Sequence, residues 1–104
     1  MKTKSLATIP KLLLKQLDIY ILKNINIYKK EGFKITFNCK NCSLNICYNT
    51  KEYKVSIISF ENNYYWRVEP YMNSYFETRM NNQKYNFDLV LFAIKEDDLL
   101  NRKD

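Results

Sequence analysis

Three cysteines are the only thiols the chain offers: Cys39, Cys42 and Cys47, spaced C-x2-C-x4-C. A C-x2-C pair at a strand turn brings two thiolates to one side, which is how zinc is gripped. A closed site needs four ligands, and the sequence contains no histidine to supply the fourth. An aspartate, a glutamate or a second subunit would have to complete it. The expectation is therefore three free thiols, with neither bound metal nor a disulfide framework.

The missing histidine excludes more than a zinc site. It removes the commonest general base and the usual physiological pH switch, and with them Ser-His-Asp, Cys-His and HExxH chemistry. Glu61, Glu69 and Glu77 have no spacing that pairs them as acid and base, and Glu69 near Arg67 reads as a surface ion pair. Gly32 is the single glycine, so no glycine-rich loop can cradle phosphate in the P-loop or Rossmann manner. The chain is expected to bind and not to catalyse, with no cofactor.

Binding has two sequence signals. The first is charge. The net charge is +6, but residues 1–54 hold eleven lysines against three acids, a net +8, and the rest is net −2. Such asymmetry points to nucleic acid, an anionic surface or an acidic protein as partner. On a helical wheel of 100° per residue, Lys11, Lys15 and Lys29 fall within about 40° of one another, and Lys30, Lys34 and Lys40 follow in the adjoining chain. The second signal is aromatic. Nine tyrosines and six phenylalanines with one tryptophan exceed what one small core needs. Tyr64-Tyr65-Trp66 alternates rings across a strand, so one ring is expected at solvent or an interface. Aromatics on a sheet beside cations stack and hold single-stranded nucleic acid, and Tyr65, Trp66 and Arg67 are equally the types that anchor protein interfaces.

The leading expectation is a basic module that engages nucleic acid or a ribonucleoprotein. The rival is a protein–protein interaction inhibitor that blocks its partner through an aromatic sheet face. A membrane-surface helix is a third option, disfavoured because the helix's apolar stripe is needed by the sheet. The octamer signature of RRM-type RNA-binding domains is absent. In size, codon-biased composition and lack of catalytic groups the chain resembles small accessory proteins of phages and other mobile elements, including inhibitors of host defence. That resemblance is one of type and rests on no motif.

The elements that must position these residues belong to one α+β domain spanning residues 1–104. Residues 9–30 read as one amphipathic helix, with Thr8 as cap, Pro10 in the first turn and Gly32 beyond the end. Ile9, Leu13, Leu17, Tyr20, Ile21, Ile25 and Tyr28 form its core stripe, and Asn24-Ile25-Asn26 is its weak point. An antiparallel meander of four or five strands follows, with segments at 33–38, 44–48, 53–60, 64–69 and 75–80. Its centre is a hairpin closed by Glu61-Asn62-Asn63, with Asn49-Thr50-Lys51 and Met72-Asn73-Ser74 as neighbouring turns.

Residues 85–102 fit either a helix, with Asn86 as cap and Phe87, Val90, Leu91 and Ile94 on one face, or a buried strand. Length favours the helix. The acids Glu96, Asp97 and Asp98 count against it, because they oppose the helix dipole. No leader or membrane-spanning run is read in the sequence, since Pro10 and Lys11 break the first apolar run and Lys15, Asp18 and Lys23 the next. A cytoplasmic location is expected.

Overall fold

Five consecutive segments that alternate apolar and polar residues pair as an antiparallel meander. The computed structural model describes residues 5–6, 11–38, 43–80 and 85–101, with side chains in these spans except those of residues 5–6, 11–14 and 38. The strands are β1 (Ser5–Leu6), β2 (Phe33–Asn38), β3 (Ser43–Tyr48), β4 (Lys51–Phe60), β5 (Asn63–Tyr71) and β6 (Ser74–Arg79). The helices are α1 (Lys11–Lys23), α2 (Ile25–Lys30) and α3 (Phe87–Asn101). The sheet order is β2-β3-β4-β5-β6. β4 is long enough to carry β3 along its first half and β1 along the same edge at Ile58 and Ser59. The fold is α+β, with α1 and α2, then the meander, then α3. β1 was not expected.

The turns are tighter than their sequences suggested. Phe60 pairs with Asn63, which leaves a two-residue loop, Glu61-Asn62, in place of the expected three. Tyr48 pairs with Lys51 across Asn49-Thr50, and Tyr71 with Ser74 across Met72-Asn73. All six loop residues have positive φ, between 48° and 69°. This is the type I′ arrangement, whose twist matches that of the flanking strands and so draws Asn63, Lys51 and Ser74 into the ladder. An asparagine sits in each turn. Its short polar side chain tolerates the left-handed conformation, a role that glycine would usually take and that this chain gives to glycine only at Gly32.

Alternation sorts the meander into two faces. Phe33, Leu44, Ile46, Tyr53, Val55, Ile57, Trp66 and Val68 are buried beneath the helices. Leu17, Ile21 and Tyr28 meet them from above, and Tyr20 and Ile25 pack at the margin, as the stripe requires. Ile9, Thr8 and Pro10 lie outside the described residues. The weak point became a break. The Asn24 N–H reaches the Ile21 carbonyl at 3.1 Å, and its side-chain amide donates to the Tyr20 carbonyl at 2.9 Å. That local bonding competes with the helical ladder and separates α1 from α2. α2 ends as expected at Gly32, whose φ of +100° and N–H to the Lys29 carbonyl close the last turn.

Residues 87–101 are a helix lying across β5 and also touching β3 and β6. Phe87, Val90, Leu91 and Ile94 are buried. Trp66 sits in this core, and its indole N–H donates to the Tyr85 carbonyl at 2.6 Å, just before α3 starts. Asn86 precedes the helix as expected, but with a positive φ and with its side-chain amide donating to the Arg79 carbonyl. The acids that argued against a helix are what hold it. Asp97, 1% exposed, accepts from Lys51 Nζ (2.8 Å), the Tyr53 hydroxyl (2.6 Å), the Met72 N–H (2.8 Å) and Asn101 Nδ2 (2.8 Å). Asp98 accepts from Asn49 Nδ2 at 2.9 Å, and Glu96 from the Tyr71 hydroxyl. Two hairpin turns are thereby tied to the end of α3.

Burial pushes the Asp97 carboxyl up, but the Lys51, Met72 and Tyr53 bonds outweigh it and hold the group below its ordinary range. Such a group contributes stability above the unfolded carboxylate pKa of about 3.9, and the contribution drains as pH falls through the lower folded value. Urea unfolding of wild type and Asp97→Asn should therefore show a stability gap at pH 6 that narrows below about pH 4. A gap constant with pH would contradict this role. In the core, Leu17→Ala should cost about 2–5 kcal/mol in the same assay, against under half a kcal/mol if the stripe faced solvent.

Candidate functional site

α1 carries more apolar residues than the sheet can cover. Leu17 and Ile21 point inward, whereas Ile19 and Leu22 are 56% and 55% exposed on its other side. Beyond the Asn24 break, Ile27 is 58% exposed, while Tyr28 is buried. α3 repeats the pattern. Its inner face holds Phe87, Val90, Leu91 and Ile94, while Leu89, Phe92, Leu99 and Leu100 stand at the surface, Phe92 at 63%. A helix that is apolar on both sides is normally covered on both sides. Here the outer side is bare among the described residues.

The two helical segments enclose a groove of about 540 Å³. Tyr28 and Leu91 form its floor, with Tyr20 beside them, and Ile27 and Phe92 stand on opposite walls. Its polar rim mixes signs: Lys23 and Asn24 on one side, Asp88 on the other, Glu31 and Lys95 at one end. Lys95 reaches Glu31 at 3.2 Å, a half-exposed pair worth little in stability. Tyr20 meets Tyr85 edge-on with centroids 5.6 Å apart, which fixes the ring at the groove's margin. Burial pushes the Tyr28 hydroxyl well above its ordinary pKa, so it remains a neutral donor.

The opposite face of the sheet is built differently. Lys54 stands across from Glu69, and Arg67 across from Glu77 at 2.6 Å. Arg67 also covers the Tyr75 ring at 4.3 Å. Opposite charges set cross-strand make a nearly neutral, self-satisfied surface. Near its β2 edge, Lys34, Thr36, Asn45, Cys47 and Glu52 line a polar cleft of about 240 Å³.

The expected site residues are thus dispersed. Trp66 requires a correction: at 1% exposure its ring is core and cannot present itself to a partner, because its strand parity turns it toward the helices. Tyr65 and Arg67 share the outward face, Tyr65 half-buried and Arg67 held by Glu77 and Tyr75. Lys15, Lys29 and Lys30 are exposed on the helical layer, Lys15 in α1 and the other two in α2 beyond the Asn24 break. Lys11 lies in α1 without a described side chain. Lys34 lines the cleft on the other face, which separates it from them. Lys40, Cys39 and Cys42 lie outside the described residues. Cys47 is a half-buried free thiol.

Sequence reasoning missed Ile19, Leu22, Ile27 and Phe92. Their signal was present as apolar residues left over once the core stripe had been assigned.

No family model, curated protein or solved structure matches the chain. The fold and its surfaces therefore define the class: an α+β domain with a charged, laddered sheet face and an apolar, grooved helical face. No helix among the described residues is long and apolar enough to cross a membrane.

If Ile27 and Phe92 are surface groups, Ile27→Ser and Phe92→Ser should each change unfolding free energy by under about 0.5 kcal/mol. They should also reduce the fluorescence of a bound hydrophobic dye. A loss of several kcal/mol would place these side chains inside the fold.

Proposed function

We propose that the protein is a non-enzymatic interaction module that occupies the surface of a protein partner through its helical layer, the mode of an inhibitor. The observation that carries this reading is the run of bare apolar residues on both helical segments around one groove, with Ile27 and Phe92 each more than half exposed. Exposed apolar groups gathered at a groove mark interaction sites, and aromatic and aliphatic anchors of this kind dominate binding energy. The laddered sheet face fits this role less well, because Arg67 is already engaged by Glu77 and Trp66 is internal.

The non-enzymatic part of the reading rests on the absence of histidine and on how the acids are used. Asp97, held below its ordinary range, accepts four hydrogen bonds, from β4, the β5–β6 turn and α3 itself, and lies outside both the groove and the cleft.

Affinity capture from nuclease-treated extract of the expressing cells tests the proposal. Wild type should retain a protein that a Phe92→Asp, Ile27→Asp variant loses, while a Lys15→Glu, Lys29→Glu, Lys30→Glu variant keeps most of it. The opposite pattern would favour nucleic acid as the partner. It would need to come with nuclease-sensitive capture and a log-affinity against log-salt slope of about −2 to −3 for three phosphate contacts.

A further inference from the structure

We propose that the outward arc of α1 and α2 seats the protein on an anionic lipid surface. The buried side fixes the geometry. On a wheel of about 100° per residue, the buried Leu17, Ile21 and Tyr28 fall within about 40° of one another. Ile19 lies about 180° from the middle of that stripe, on the side away from the sheet. It is 56% exposed, and Leu22 beside it is 55% exposed. Lys15, Lys23, Lys29 and Lys30 are exposed and all lie within about 80° of Ile19. Lys15, Ile19, Leu22, Lys29 and Lys30 do not line the groove, so this surface is separate from the one proposed to dock a protein.

Charge on this arc has one sign. The acid of α1 and the acid that caps α2 both lie outside it. Asp18 is half-buried about 100° from Ile19. Glu31 is about 120° away on the other side, where Lys95 meets it. Asp88 stands on α3, across the groove. Among the described residues no ion pair engages the four lysines.

Aliphatic groups set among lysines select the occupant. A bilayer satisfies both kinds. Ile19 and Leu22 enter the boundary between headgroups and acyl chains, while the lysine stems lie along it and their ammonium groups stay at the anionic headgroups. Nucleic acid would satisfy the lysines alone, since its phosphates offer nothing to Ile19 and Leu22. A second copy would set four lysines against four, which repel. An acidic protein would need a hollow shaped to a convex helix, whereas lipid headgroups move aside for one. With so few apolar groups inserted, the seating is reversible and depends on charge.

Vesicle co-sedimentation with the full chain tests this. Phosphatidylcholine vesicles with about 30% phosphatidylserine should bind at least about tenfold more tightly than phosphatidylcholine alone, and less tightly as salt rises. The pair Lys15→Gln, Lys30→Gln should weaken binding about 25-fold, roughly fivefold for each lysine at the surface. The same loss of charge on the far sheet face, Lys34→Gln with Lys54→Gln, should change it by less than about twofold. Ile19→Ser with Leu22→Ser should weaken it about tenfold whatever the salt, because that loss is apolar. Circular dichroism and the unfolding midpoint confirm that each variant is folded, with Ile19→Gln and Leu22→Gln replacing the serine pair if it is not. No binding to the anionic vesicles, or equal binding to both kinds, overturns the proposal. So does a far-face pair that loses as much as Lys15 and Lys30, or an Ile19, Leu22 variant that loses nothing. A single-stranded oligonucleotide that binds through the same lysines more tightly than the vesicles overturns it in favour of nucleic acid. The readout is lipid and not protein capture, so its failure leaves the docking reading standing.

Discussion

One buried carboxylate determines how the two layers meet. Asp97 lies at 1% exposure between α3 and the sheet, where an unpaired charge would cost several kcal/mol. It is tolerated because its donors come from separate parts of the chain: Lys51 and Tyr53 in β4, Met72 in the β5–β6 turn and Asn101 in α3 itself. Each donor must hold its place for the carboxylate to stay charged. The site therefore selects one register of α3 along the strands, which apolar contacts alone would specify less sharply. Asp98 with Asn49, and Glu96 with Tyr71, extend the tie to both hairpin turns at that end of the sheet. At the other end of α3, the Trp66 indole N–H on the Tyr85 carbonyl supplies a second fixed point.

With α3 held at both ends, its inner face is committed to the sheet and its outer face is left with Leu89, Phe92, Leu99 and Leu100. α1 and α2 divide in the same way. The break at Asn24 leaves that division in place, since Leu17, Ile21 and Tyr28 stay on one buried stripe and Ile27 falls outside it. Such an apolar outer surface adds nothing to the stability of the isolated chain. It favours association, and so its presence is more informative than any exposed polar residue. The sheet's far face shows the contrast. There Arg67 is paired with Glu77 and Lys54 stands across from Glu69, so opposite charges face each other across the strands.

Much of the architecture was legible in sequence because its signals are local. The two-residue period of Phe33, Ile35 and Phe37 needs only the pleat to become a half-buried strand, and β2 has the expected limits. Gly32 ends α2 because a positive φ there disfavours any side chain. Leu17, Ile21 and Tyr28 follow from helical periodicity alone. The two-residue turns were partly legible, since asparagine marked each of them. Their length depended on strand twist, which no single residue encodes.

What tertiary structure alone decided is the use of each surplus group. The acids of residues 96–98 oppose a helix by the dipole rule, and only the approach of two distant turns makes them its anchor. Trp66 and Tyr65 are neighbours of similar chemistry, and one is core while the other faces outward, because parity became meaningful once the helices had chosen a face. Lys34 stands on the far side of the sheet from Lys15, Lys29 and Lys30, because the pleat turns it away from its buried neighbour Phe33. By itself the sequence determined the five meander strands, the helical region before them and one buried stripe, all set by short-range sterics and periodicity, but not β1 or the choice of helix over strand after residue 85. The bare helical face was decided only by packing, because whether Ile27 or Phe92 is core or surface depends on what other parts of the chain have already covered.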